Sequence, residues 1–201
     1  MRLKLTLACR PNGVLSFNYH YALQAVIYKI LQRADPVFSK WLHEKGYALS
    51  GNKRFKLFTF SDLYGFYKPN FQDQTLQFQT TSVEWLISFC VDTAMEKFIT
   101  GLFQSQQLTV VTPKGRIDFT VENLEIMESP TLLETMRFRA MMPICISENQ
   151  EGRPQAKYLA PDEPNYTTLF LSNLANKYHA STGNTEGYQK KAISLCKTPQ
   201  S

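Results

Sequence analysis

Residues 3–32, LKLTLACRPNGVLSFNYHYALQAVIYKILQ, pass from the apolar period of two that marks a strand to the period of 3.6 that marks a helix. Leu3, Leu5 and Leu7 alternate with Lys4 and Thr6, which predicts a strand with one face buried. Pro11-Asn12-Gly13 is a turn signal. Beyond it, Leu23, Val26, Ile27 and Ile30 recur at helical spacing, so residues 18–32 read as an amphipathic helix with Tyr28 on its last turns.

The pattern extends downstream in the same alternation of periods. Asp35-Pro36 starts a second helix, with Phe38, Trp41 and Leu42 on its apolar face and Gly46 as its stop. His43 then falls near a helix C-terminus, where the backbone dipole favours an imidazolium. Residues 55–60 form an aromatic strand, and 76–80 and 85–91 read as two more. Asp92 caps a helix running through Phe103 on Ala94, Phe98, Ile99 and Leu102. Residues 108–112 and 117–126 flank Pro113-Lys114-Gly115 as a hairpin. Strand, helix, strand, strand, helix, strand is the ferredoxin-like order, here with an added hairpin. After Pro130, residues 136–147 and 189–197 read as strands and 164–178 as a helix. The expected fold is therefore α+β, with tandem ferredoxin-like domains over 1–128 and 129–201. The second is incomplete, lacking the partners for its sheet edge.

The 201 residues are enough for an ordinary core without disulfides. Lys and Arg number 22 against 17 acidic residues, a formal charge of +5, which suits a polyanionic partner and equally suits a mildly basic cytosolic protein. Cys9, Cys90, Cys145 and Cys196 are far apart and form no CxxC pair, so they read as reduced, mostly buried thiols of a cytoplasmic protein. His20, His43 and His179 lack paired ligand spacing with them, and no metal or other cofactor is expected. No apolar run reaches the roughly 20 residues of a membrane-spanning helix.

Tyr28, His43 and Lys56 supply a phenol, an imidazole and an ammonium, groups that together can cleave RNA without a metal. Each also has a plain structural role open to it: a core or rim aromatic, a helix-end histidine, an exposed strand lysine. His20, about two turns before Tyr28, either assists His43 or packs at the helix start. His179 reads as a helix-end cation. Lys53, Arg54 and Lys56 cluster beside Phe55 and Phe58, and Arg137 and Arg139 alternate on an expected strand and so share a face. These cations suit phosphate contacts, or a solvated edge that discourages aggregation.

The runs LQAVIYKIL, FSKWLHEKGY and FKLFTFS, followed by FITGLF, MPICIS and LFLSNLANKY, resemble the CRISPR-associated repeat-processing endoribonucleases, the Cas6 family of the RAMP superfamily. The likeness covers nearly the whole chain, and its most specific part is the ordered series of Tyr28, His43 and Lys56. It implies two ferredoxin-like domains and metal-independent cleavage of CRISPR repeat RNA. The 2′-hydroxyl would attack the adjacent phosphorus to leave a 2′,3′-cyclic phosphate and a 5′-hydroxyl. Tyr28 and His43 would share the acid and base work, and Lys56 would stabilise the phosphate oxygens. Lys53, Arg54, Arg137 and Arg139 are the expected RNA contacts. Other CRISPR effector subunits and a second copy of the chain are the further partners the resemblance allows. One departure is plain: the family's glycine-rich loop near the C-terminus has no counterpart, only Gly183 and Gly187 lying in the last segment. That departure motivates the alternative reading, a non-catalytic CRISPR RNA-binding subunit.

Overall fold

The N-terminal alternation becomes β1 (Arg2–Cys9), whose Leu3, Leu5 and Leu7 are all buried at the centre of the molecule's main sheet. The computed structural model describes residues 1–48, 53–131, 133–140, 142–150, 152 and 154–182. It divides into two units, the first made of Met1–Glu44 and Phe58–Arg137, the second of Lys45–Leu57 and the chain from Phe138 onward.

In the first unit β1 is followed by β2 (Val14–Ser16), α1 (His20–Ala34) and α2 (Pro36–Glu44). The second unit contributes β3 (Tyr47–Ala48) and β4 (Arg54–Phe55). The first then resumes with β5 (Phe58–Tyr64), β6 (Tyr67–Asn70), β7 (Thr75–Phe78), β8 (Ser82–Phe89), α3 (Asp92–Gln104), β9 (Gln107–Thr112) and β10 (Gly115–Met127). Its sheet has the order β5-β8-β1-β10-β9, every neighbour antiparallel. Without β9 this is the ferredoxin-like order. β9 is the added hairpin strand, and β6 and β7 form a separate three-stranded sheet with β2.

Two helices supply the other layer of the core. Leu23, Val26, Ile27, Ile30 and Leu31 of α1 and Ala94, Met95, Phe98 and Leu102 of α3 are buried, each large aliphatic or aromatic side chain contributing about 1.5–3 kcal/mol. The helices approach so closely that a Cβ on Gly101 would lie 1.9 Å from the Ile30 carbonyl oxygen. Asp35 caps α2 as expected, its Oδ1 accepting from the Phe38 amide at 2.8 Å. Asp92, by contrast, occupies the first turn of α3 and makes no cap bond, Val91 being the capping residue.

The strand expected over 55–60 is broken. β4 ends at Phe55, Leu57 takes φ +53°, and β5 starts afresh at Phe58. β5 also bulges: Phe60 pairs with Ile87 and Leu63 with Trp85, leaving Ser61 and Asp62 together opposite Leu86. Ser61 Oγ takes up the Leu86 amide at 3.1 Å, replacing the lost ladder bond.

In the second unit β3 pairs with β4, and β11 (Ile146–Glu148) pairs with β12 (Lys157–Leu159). α4 (Tyr166–Thr182) packs against β11, β3 and β4. The strand expected over 136–147 is confined to its last residues. Apolar alternation there buries nothing, Phe138 being 82% exposed, and an unpaired segment gains no ladder bonds. His179 is 3% exposed, a core residue of α4 and not the solvent-facing cation its place near a helix end suggests. The cysteine expectation is corrected too: Cys9 is half-buried and Cys90 and Cys145 are exposed, because the latter two lie just outside strands. The expected strand at 189–197, Cys196, Gly183 and Gly187 lie outside the described residues. No helix among the described residues is long and apolar enough to cross a membrane.

Candidate active site

Tyr28 projects from α1 with its ring half-buried, meeting the His43 ring edge-to-face at 5.0 Å between centroids and 82° between planes. A second T-shaped contact, 5.7 Å and 79°, joins Tyr28 to Phe58 at the start of β5. Phe58 in turn packs on Phe89 and Phe60. The phenol is thus held by a string of aromatic rings.

Two polar bonds and a cation–ring contact hold the helix that carries His43. The buried Ser39 hydroxyl donates to the Tyr28 carbonyl oxygen at 3.0 Å, fastening α2 to α1. His43 follows Ser39 by four residues and therefore shares its helix face. At the other end of α2, Asp35 Oδ2 receives the Lys97 ammonium at 2.6 Å, and Lys97 also stands 5.3 Å from the Phe38 ring centre. Leu42 is fully buried, and His43 beside it is exposed. Gly46, at φ +67°, ends the turn as only glycine readily can.

The Tyr28 hydroxyl oxygen is buried and makes no hydrogen bond of ordinary geometry. Burial pushes its pKa above the usual phenol value, the nearby Gln24 side chain offsetting this only in part. The phenol is therefore a proton carrier at neutral pH. His43 brings an imidazole, the side chain best suited to exchange protons near neutrality.

Lys56 belongs to the second unit, half-buried in the link between β4 and Leu57. Burial, and then the neighbouring Arg54 charge, push its ammonium pKa down. Lys53 and Arg54 are exposed in the same unit, Arg54 on β4. Arg137 and Arg139 are also exposed. They do not share a strand face, because residues 136–140 form no strand.

The sequence drew attention to His20, and the structure gives it a different partner. Its Nε2 lies 2.7 Å from Asp62 Oδ1, its ring stacks on Tyr19 at 4.9 Å, and the Tyr19 hydroxyl donates to the same carboxylate oxygen at 3.0 Å. Eight residues of helix, about 12 Å, separate it from Tyr28 along α1. Asp62 is one of the two residues of the β5 bulge. Ser39 was unread in the sequence, although its four-residue spacing from His43 was there to be seen, and Phe58 was read only as an aromatic beside the basic cluster.

Comparison with known proteins places this architecture. The family profile of the CRISPR-associated protein Cas6 N-terminal region matches residues 14–125, and that of the Cas6 C-terminal region matches residues 127–200. The chain belongs to the Cas6 family. CRISPR-associated endoribonuclease Cas6 1 of Methanocaldococcus jannaschii is 26% identical to this Cas6 chain over 182 residues, which are 90% of this chain and 66% of that protein. The chain thus spans just under two thirds of that relative. A solved structure of a Cas6-related gene product from Pyrococcus furiosus superposes with a TM-score of 0.75 at 18% identity, covering 92% of this chain and 72% of that one. A RAMP protein described as binding different RNA substrates superposes with a TM-score of 0.72 at 17% identity, covering 92% and 73%. These likenesses establish the fold as the tandem ferredoxin-like arrangement of Cas6 and RAMP proteins.

Proposed function

We propose that this Cas6 chain is a metal-independent endoribonuclease that binds CRISPR repeat RNA and cleaves precursor transcripts into guide RNAs. The observation that carries the reading is the edge-to-face pair of Tyr28 and His43, a buried phenol against an exposed imidazole at 5.0 Å. In the reaction, Tyr28 and His43 share the acid and base work: a ribose 2′-hydroxyl gives up its proton as its oxygen attacks the adjacent phosphorus, and a proton is returned to the departing 5′-oxygen. The P–O5′ bond breaks as the new P–O2′ bond forms, so the products carry a 2′,3′-cyclic phosphate and a 5′-hydroxyl. Lys56 offsets the charge gathering on the phosphate oxygens, and Lys53, Arg54, Arg137 and Arg139 contact flanking phosphates. DNA lacks the nucleophile and is not cut. The endoribonuclease name of the Methanocaldococcus jannaschii relative supports this reading.

Incubation with repeat RNA in EDTA tests it. One cut with a cyclic-phosphate end is expected. A requirement for divalent metal, or full activity in His43→Ala, would overturn the assignment.

A second reading, a non-catalytic CRISPR RNA-binding subunit, is supported by the RAMP neighbour described by its RNA binding. Salt-sensitive binding of repeat RNA with no cut at any protein concentration would favour it.

A further inference from the structure

Away from α1 and α2, the first unit carries a cleft of about 700 Å³ between the β6–β7 hairpin and the turn joining β9 to β10. Neither Tyr28 nor His43 lines it. Its floor is a cross-strand row of Val14, Gln77 and Lys68, taken from β2, β7 and β6. Lys114 stands at its rim, its ammonium donating to the Asp73 backbone carbonyl and so tying the two turns together. An ammonium has three donors, so that tether leaves donors for a ligand.

The tip of the hairpin is built to one shape. Asn70 Nδ2 donates to Asp73 Oδ2 at 2.8 Å, and the Asp73 amide donates back to Asn70 Oδ1 at 3.1 Å. This turn presents Phe71, which is 78% exposed although its edge rests against the Phe17 ring at 5.7 Å and 76°. Behind the floor, outside the cleft lining, Asn12 Oδ1 accepts from the amides of Gln77 and Gln79 at 3.4 Å each and so steadies the Gln77 side chain.

An ordered aromatic face, two lysines and the side-chain amides of Asn70 and Gln77 form a coherent chemical set. The lysines match phosphates, the amides offer donors and acceptors to base edges, and the ring offers a stacking plane. Asp73, the acidic residue lining the cleft, is bonded to Asn70. An acidic peptide would use the lysines but neither the ring nor the amides. A duplex would use the lysines and leave the ring unstacked.

We propose that this cleft is a second RNA-docking surface, where Phe71 stacks an unpaired base of the repeat RNA and Lys68 and Lys114 hold adjacent phosphates. It rests on the reading that the chain acts on RNA. Its role is to hold single-stranded substrate outside the cleavage site, so it governs affinity and leaves the chemical step alone.

Titration of labelled repeat RNA with the full chain tests this, using Phe71→Ala, Lys68→Ala and Lys114→Ala. Loss of the stacked base should weaken binding about 10-fold, and each lysine removed should flatten the salt dependence by about 0.7 in slope. The single-turnover cleavage rate at saturating protein should not change. Lys68→Ala alters an exposed side chain and keeps the test interpretable if the other variants unfold. Wild-type affinity and slope in Phe71→Ala and Lys68→Ala, with cleavage intact, would overturn the docking surface and spare the catalytic reading. Weakened binding by these variants of a chain that cuts nothing would do the reverse. Failure of the unaltered chain to bind repeat RNA would remove both.

Discussion

The Ser39 hydroxyl donates to the backbone carbonyl of Tyr28 at 3.0 Å, and this bond links the helix bearing His43 to the helix bearing Tyr28. It crosses the α1–α2 corner, where a small rotation would separate the two rings. Ser39→Ala should cost about 1 kcal/mol of stability, the usual net worth of one hydrogen bond. It should slow cleavage by about 10-fold or more at temperatures where the variant remains folded, since misplaced catalytic groups lose rate steeply. Denaturant melts and single-turnover cleavage measure the two effects separately. Loss of stability with an unchanged rate would mean that the bond does not set the Tyr28–His43 geometry.

Tyr28→Phe keeps the ring contacts with His43 and Phe58 and removes a buried oxygen that makes no hydrogen bond. Stability should hold or rise slightly, by up to about 1 kcal/mol. Cleavage should fall by about 100-fold or more if the phenol transfers a proton. A variant as active as the parent would reduce Tyr28 to a packing residue.

The raised pKa of Tyr28 has a consequence at alkaline pH. The fold favours the neutral phenol, so its contribution is fully present below the unfolded value near pH 10 and is lost as pH rises toward the higher folded value. Burial raises Tyr19 in the same direction. Stability should therefore decline above about pH 10, and less steeply in Tyr28→Phe, as followed by denaturant melts across the alkaline range. Equal slopes in the two proteins would contradict the burial of this hydroxyl.

Gly101→Ala places a methyl group 1.9 Å from the Ile30 carbonyl oxygen, a backbone atom that cannot turn aside. The helices α1 and α3 must separate, at a cost of about 1–3 kcal/mol or more. A thermal midpoint lowered by several degrees is expected, with weakened cleavage because α1 carries Tyr28. A midpoint equal to the parent's would show that the helices yield freely.

The order of elements was legible because each covers enough residues to show its period. Leu3, Leu5 and Leu7 display a strand, and Leu23, Val26, Ile27 and Ile30 a helix, before any contact is known. Asp35-Pro36 and Gly46 bracket α2 through local chemistry alone, a side-chain cap and a positive φ. The same local logic failed at 136–145, where alternation without a partner strand or a buried face makes no sheet. It also failed at Leu57, whose positive φ breaks the expected strand, and at the Ser61–Asp62 bulge, which exists only in the pairing with β8.

The sequence by itself determined the ferredoxin-like order of the first unit and the residue types available for RNA chemistry, because periodicity and side-chain chemistry are local properties. Tertiary structure alone decided that Tyr28 meets His43 while His20 is drawn to Asp62. Those pairings go with the Ser39 bond, the anchoring of Asp35 by Lys97 and the packing of α1 against β5, contacts between residues whose separation in the chain conceals them.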